Sequence, residues 1–206
     1  MSSIDSLRAL VIEELKDIYD AENRLTKAIP KLVKKSTNDQ LKTALQDHLT
    51  QTEQHVSRIE QAFEHLDESA KAKSCAGMKG IIEEGDEHAG ERYDHDGLRD
   101  AAIIGSAQRV EHYEIAAYGT VIAHARLLGL DDVVSLLEET LEEEKAANKK
   151  LTAIAESVVN VNAESDEEKA SSSQRQSSRR GTTMAGGAES RASAPDRGGR
   201  PERGRR

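Results

Sequence analysis

The 206-residue sequence has almost no aromatic side chains: it contains no Trp, one Phe and four Tyr. A core without aromatics must be built from Leu, Ile, Val and Ala, which suits helix packing better than a β-sandwich. Proline is also scarce, because two of the three prolines, Pro195 and Pro201, lie near the C-terminus. Long stretches are therefore free of helix breakers, and the composition predicts an all-α protein.

Cysteine occurs once, at Cys75, which excludes an intrachain disulfide and is typical of a reducing compartment. No apolar run approaches the roughly 20 residues that cross a bilayer. The N-terminus has no basic segment followed by an apolar one, so the sequence predicts no signal peptide. We therefore expect a cytoplasmic protein without membrane contact.

The net charge of −9 is unevenly distributed. From Lys169 onward there are ten Arg or Lys residues and three acids, a balance of +7, so the preceding residues carry −16. After Ala163 the chain consists mostly of Ser, Arg, Gly and Ala, which cannot offset their ordering entropy by burial. We expect residues 163–206 to form a disordered tail. It either attracts nucleic acid or another anionic partner weakly and without sequence preference, or only adds solubility.

Four long segments have helical periodicity. They cover approximately residues 4–35, 38–67, 97–128 and 131–159. Ser3 or Asp5 is the expected N-cap of the first helix, and Asn38 or Asp39 that of the second.

The connections between these segments indicate the topology. Short turns near Ser36 and Gly129 imply two antiparallel hairpins, and Gly129 suits a left-handed C-cap. The long middle connection, with a short amphipathic stretch over 78–87, implies a crossover. Two hairpins joined by one crossover predict a ferritin-like four-helix bundle with a short extra helix, over residues 1–162.

Each predicted helix has one apolar face, and polar residues interrupt that face near its middle. Pairing the hairpins about their turns places these interruptions at one height in the bundle. The resulting layer contains Glu22, His48, Thr52, His55, Glu111, Glu114, Glu144 and Asn148. Glu142, Glu143 and Glu144 form a run, so a small rotation of the fourth helix would present Glu143 in place of Glu144.

Four carboxylates and two imidazoles cannot lie in an apolar core as bare charges, since each buried ion costs several kcal/mol. A single core Glu or His is usually a satisfied polar group, but a set at one level on four helices favours metal. Two divalent cations would cancel four Glu charges, and carboxylates with imidazoles suit iron first and manganese second. The predicted ligands are Glu22, His48, Glu111, Glu114 and Glu144, with His55 and Glu143 as further candidates.

The ligand spacing departs from the usual ferritin-like pattern, in which two helices carry Glu-x-x-His. The third predicted helix has Glu-x-x-Glu at 111–114, and the second has His-x₃-Thr-x₂-His at 48–55. We therefore do not assign the di-iron oxidase mechanism of that pattern to this sequence.

Five segments carry a family resemblance. They are ELKDIYDAENRL (14–25), HLTQT (48–52), GIIEEG (80–85), RVEHYEIAAYGT (109–120) and ETLEEEKAANKKL (139–151). Over about residues 4–160 the chain resembles the YciE/YciF family of stress-associated ferritin-like proteins. The resemblance implies a ferritin-like bundle, a homodimer and a metal pair, but no defined biochemical activity.

Two functions stay open at this point. The chain could be a di-iron or di-manganese oxidoreductase that detoxifies peroxide or oxygen during stress. Alternatively, it is a non-catalytic stress or structural protein in which the metals only cross-link the bundle, while the basic tail contacts nucleic acid or a partner.

Overall fold

The computed structural model describes residues 4–165, and within that range its regular structure is entirely helical. The helices are α1 (Leu7–Lys35), α2 (Asp39–His65), α3 (Ala76–Gly90), α4 (Asp96–Leu127) and α5 (Asp131–Ile154). A π-helical turn, Ala155–Val159, continues α5, and helical residues extend from there to 165.

The four long helices form a bundle from two antiparallel hairpins. Helix α1 packs against α2 and α4, while α5 packs against α4 and α2. The short helix α3 lies in the crossover and packs on α1 and α4. The predicted all-α four-helix bundle with a long crossover and a short extra helix is therefore confirmed.

The C-terminal end of the bundle differs slightly from the prediction. Helical structure continues past 162, because Ala163 is buried and its backbone lies against Gly97 at the start of α4. Most of the predicted disordered tail, residues 166–206, lies outside the described residues. The domain boundary after residue 162 stays a prediction.

Side-chain caps define the starts of α1 and α2. The hydroxyl of Ser6 accepts a hydrogen bond from the Ala9 amide at 3.1 Å, so Ser6 is the N-cap of α1. The predicted caps Ser3 and Asp5 were wrong, because Ser6 has the extended backbone and the reach to an unsatisfied amide. Asn38 caps α2 as predicted, accepting from Leu41 at 3.0 Å.

The two turns between paired helices are held in different ways. Gly129 ends α4 with a φ of 69°, the left-handed conformation that the sequence predicted there. At the other end, buried Asp100 of α4 accepts hydrogen bonds from the Thr37 amide, the Thr37 hydroxyl and the Asn38 amide at 2.7–2.9 Å. This carboxylate was not predicted, and it joins the α1–α2 turn to α4.

The buried apolar residues form two clusters along the bundle axis. One, near the α1–α2 turn, includes Leu25, Leu41 and Ile103. The other, near the α4–α5 turn, includes Leu15, Ile59 and Leu137. Among the helices of residues 4–165, none is long and apolar enough to span a bilayer. The predicted polar layer falls between the two clusters.

Candidate metal centre

Six of the seven predicted ligands have buried side chains that meet at the middle of the bundle. They are Glu22 on α1, His48 and His55 on α2, Glu111 and Glu114 on α4, and Glu144 on α5. None is more than 6% exposed. They lie on the same helix faces as the flanking apolar residues, which is why the helix periodicity buries them.

The ligand atoms fall into two groups that share one residue. His48, Glu111, Glu114 and Glu144 offer ligand atoms that all lie within 4.8 Å of one another, and so do Glu22, His55 and Glu144. These groups could each hold a metal ion.

The two oxygens of Glu144 face different groups. Its Oε2 lies 3.7 Å from Nε2 of His48, whereas its Oε1 lies 2.9 Å from Nδ1 of His55. The same two imidazole nitrogens lie 3.4 Å from Glu111 and 3.5 Å from Glu22, respectively. One carboxylate therefore connects the two groups, which is the arrangement that a bridged pair of cations requires.

Polar atoms of this layer lack hydrogen-bond partners. Among residues 4–165, eleven buried side-chain nitrogens and oxygens have none, and nine of them belong to the six buried candidates. Both oxygens of Glu114 and both of Glu144 are in this set. Unpaired buried polar groups are rare in folded proteins because each costs free energy. These atoms could therefore serve as donors to a metal ion.

The pKa values show how the layer balances its charge without metal. Burial, reinforced by the neighbouring carboxylates, raises the pKa of Glu111 and of Glu114 well above 4.5. Burial also disfavours the imidazolium form of His55, but its contacts with Glu144 and Glu22 outweigh burial and raise its pKa to about 10. At neutral pH the proton on His55 therefore supplies a positive charge where a cation would supply it, and the raised pKa values of the two acids favour their neutral forms.

Glu143 lies at the edge of the layer, with its side chain 24% exposed. Its Oε2 lies 2.9 Å from Nε2 of His55 and accepts a 2.6 Å hydrogen bond from Arg58. These contacts hold its pKa below the usual value although burial alone would raise it. Because an ionised carboxylate only accepts, Nε2 of His55 carries a proton toward Glu143, while Nδ1 faces Glu22 and Glu144. Of the two alternatives on α5, the structure brings Glu144 into the layer and leaves Glu143 beside it.

Two other predicted members of the layer belong to neither metal group. Thr52 is buried, and its hydroxyl donates to the backbone oxygen of His48 at 2.9 Å. Asn148 accepts from Gln108 at 3.2 Å and so joins α4 to α5 beside the layer.

Two residues that support the layer were not selected as site residues from the sequence. The hydroxyl of Tyr118 donates to Oε1 of Glu22. Arg58 was missed entirely. It bonds Glu143 and also Glu139, at 2.6 Å, and lies one turn after His55. The i, i+4 spacing of Glu139 and Glu143, which places both acids on one face of α5, was the only sequence feature that pointed to a basic partner.

The family model described as a domain of unknown function, DUF892, matches residues 6–164, which include every candidate ligand. The chain belongs to the DUF892 family. Together with the 42% identity to YciF of Escherichia coli, this match confirms the predicted resemblance.

The similarity of this DUF892 member to two relatives extends over most of each chain. Protein YciF of Escherichia coli K12 is 42% identical over 163 residues, which are 79% of this chain and 98% of YciF. The crystal structure of E. coli YciF, a stress protein, matches with a TM-score of 0.72 over 76% of this chain and 98% of that one. YcfI of Rhodopseudomonas palustris, described as a candidate structural protein, is 45% identical, with a TM-score of 0.71 over 73% and 95% of the two chains.

Proposed function

We propose that this chain binds two divalent metal ions in the polar layer and uses them to reduce peroxide or oxygen during stress. The single observation that supports this most is the placement of Glu144, whose two oxygens face two separate sets of ligand atoms. Both oxygens of Glu144 are buried without a hydrogen bond, and each lies beside an imidazole of the same layer.

The donor set fits a particular class of metal. His48, Glu111 and Glu114 would hold one ion, Glu22 and His55 the other, and Glu144 both. Four carboxylates supply four negative charges, which two divalent ions neutralise. Oxygen and imidazole donors without thiolate suit iron and manganese, with iron as the first choice.

The protein's own residues would keep such a pair in place and dry. Tyr118 fixes one oxygen of Glu22, and Glu143 orients His55. The low exposure of the layer also strengthens the charge interactions inside it. When bound, two ferrous ions would supply the two electrons that, with two protons, convert one hydrogen peroxide to two waters.

The relatives support a stress role and also a rival function. E. coli YciF is described as a stress protein, which agrees with detoxification. YcfI is described as a candidate structural protein, which is compatible with a chain whose metals only cross-link the helices. The rival is physically sound, because the candidate ligands come from α1, α2, α4 and α5, so bound ions would tie all four long helices together.

Reactivity with peroxide separates the two functions. The full-length chain is loaded with ferrous iron without oxygen, hydrogen peroxide is added, and ferric absorbance is followed. We expect one peroxide to be consumed for every two irons oxidised, faster than by the same iron free in buffer. Iron that stays bound but reacts no faster than free iron would establish the structural function instead. The homodimer and the binding of nucleic acid by the tail stay predictions.

A further inference from the structure

A small cavity lies beneath the crossover helix α3 and ends at the polar layer. Its volume is about 40 Å³, and its walls are mostly aliphatic side chains of α1, α2, α3 and α4, such as Leu25, Ile29 and Ile82. His48 and Glu111 form its inner end. Asp86, which is partly exposed, also lines it, so the cavity leads from the protein surface to the first group of ligand atoms.

Helix α3 forms the roof of this cavity and is fixed by contacts on both sides. Lys31 of α1 pairs with Asp86 at 2.9 Å, and Arg109 of α4 pairs with Glu84 at 3.8 Å. A Cβ added to Gly85 would lie 3.4 Å from Cβ of Ser106, so glycine lets α3 approach α4 closely here. The cavity is therefore a fixed feature of the packed crossover.

A second gap reaches the same two residues, and polar side chains make up about half of its lining. It lies between α2 and α5, has a volume of about 180 Å³, and also has His48 and Glu111 among its lining residues. Asp47, Gln51 and Lys150 line it as well, and Lys150 bonds Asp47 at 2.8 Å. The side-chain oxygens of Asp47 and Gln51 could replace some of the water around a cation that enters this gap.

The chemistry of the two paths selects different molecules. A cation that loses its water between aliphatic walls gains no ligands in return, so its entry costs a large free energy. An uncharged apolar molecule does not have this desolvation cost. A water needs roughly 10–15 Å³, so 40 Å³ has room for a molecule of a few heavy atoms. Apolar cavities in proteins stay dry and bind gases such as xenon.

We propose that the cavity under α3 binds dioxygen, or an apolar molecule of its size, and delivers it to the His48 and Glu111 edge of the layer, while cations enter between α2 and α5. The reaction of the delivered dioxygen rests on the proposed function, whereas its binding in the cavity does not. Dioxygen would take two electrons from two ferrous ions and two protons from solvent, and leave as hydrogen peroxide.

Xenon tests the binding independently of any metal. Methyl NMR spectra of the metal-free, full-length chain are recorded under increasing xenon pressure. We expect saturable shifts of the Leu25, Ile29 and Ile82 methyls, and none for the methyls of Leu15 and Leu137 in the other core cluster. Ala107 lines the cavity, so Ala107→Leu should abolish the shifts. If Ala107→Leu does not fold, Ala28→Leu, which lines the same cavity, replaces it in this test. No shift at these methyls would overturn the proposal.

Stopped-flow oxidation tests the delivery. Ala107→Leu should lower the second-order rate constant for dioxygen about tenfold and leave ferrous affinity unchanged. The matched control is Ala147→Leu in the gap between α2 and α5, which should slow ferrous uptake but not the dioxygen step. Equal oxidation rates in wild type and Ala107→Leu would overturn the proposal. If the chain binds xenon but no iron, the proposed function is refuted, whereas the binding of small apolar molecules in the cavity is supported.

Discussion

The hydroxyl of Tyr118 donates a 2.5 Å hydrogen bond to Oε1 of Glu22 in the fully buried centre of the bundle. Burial and the nearby charges of Glu22 and Glu114 raise the pKa of Tyr118, so its proton is retained. The other oxygen of Glu22 has no hydrogen-bond partner among the described residues. Tyr118 thus holds Glu22 in one orientation and leaves its second oxygen available to a cation.

Removing this hydroxyl should weaken both the fold and the metal centre. Tyr118→Phe keeps the ring but leaves Oε1 of Glu22 without its donor, which should cost about 1–3 kcal/mol of unfolding free energy in denaturant titrations. It should also lower the affinity of the ion held by Glu22 and His55. The control is Tyr113→Phe, since Tyr113 bonds Asp17 and not a candidate ligand. If both variants change metal affinity equally, the assigned role of Tyr118 is wrong.

The neighbouring acids Glu143 and Glu144 provide a second matched comparison. Glu144→Gln removes the charge shared by the two groups, so it should reduce the binding of both ions. Glu143→Gln also removes one negative charge, but it does so beside His55 and Arg58 and not between the two groups. That variant should therefore still bind two ions, one of them with reduced affinity. Metal content after dialysis, measured by elemental analysis, distinguishes them. A Glu144→Gln protein with full metal content would exclude the bridging role.

The stability of the metal-free protein should fall as the pH rises from about 5 to 8. The pKa of Glu111 and of Glu114 is raised above 4.5, so the folded state binds more protons than the unfolded state above that pH. His55 acts in the same direction: its contribution is complete below 6.5 and is lost as the pH approaches 10. Glu144, whose pKa is lowered, opposes this trend only below about 4.5.

Urea unfolding at several pH values measures this dependence. The expected slope approaches about 1.4 kcal/mol per pH unit for each extra proton held. The double variant Glu111→Gln, Glu114→Gln cannot lose these protons and should show a flatter profile. Metal-free stability that increases between pH 5 and 7 would contradict the raised pKa values of Glu111, Glu114 and His55.

Much of the fold and the composition of the polar layer followed from the sequence. Helix periodicity is strong over long segments, and a His or Glu on an apolar face is conspicuous. The α1 cap was missed because Ser3, Asp5 and Ser6 all suit that position, and only the packed helix selects one. Periodicity could not decide between Glu143 and Glu144, because adjacent positions differ only by a rotation of about 100°.

Contacts between distant segments were the part that the sequence did not reveal. Asp100 bonds Thr37, and Arg58 bonds Glu143, across sequence separations of 63 and 85 residues. A buried carboxylate or guanidinium gives no sequence pattern by itself, because its partners are fixed only when the helices pack.

Two glycines of α4 test whether residues beyond 162 belong to the folded bundle. A Cβ at Gly97 would lie 3.0 Å from the Ala163 backbone, whereas one at Gly119 would have no neighbour within 4 Å. Gly119→Ala should therefore stabilise the protein by about 0.5–1 kcal/mol, while Gly97→Ala should destabilise it. Thermal unfolding of both variants measures the difference. Equal stabilisation would mean that Ala163 does not pack on α4.

The metal stoichiometry of the purified chain tests the central claim most directly. Anaerobic titration with ferrous iron, checked by elemental analysis, should give about two ions per chain, the number of ligand groups formed around Glu144. The double variant Glu111→Ala, Glu114→Ala should lose both ions. The control is the double variant Glu83→Ala, Glu84→Ala, which removes two exposed acids from α3 and should keep both ions. Unchanged uptake by the Glu111 and Glu114 variant, or no uptake by the wild type, would contradict the account.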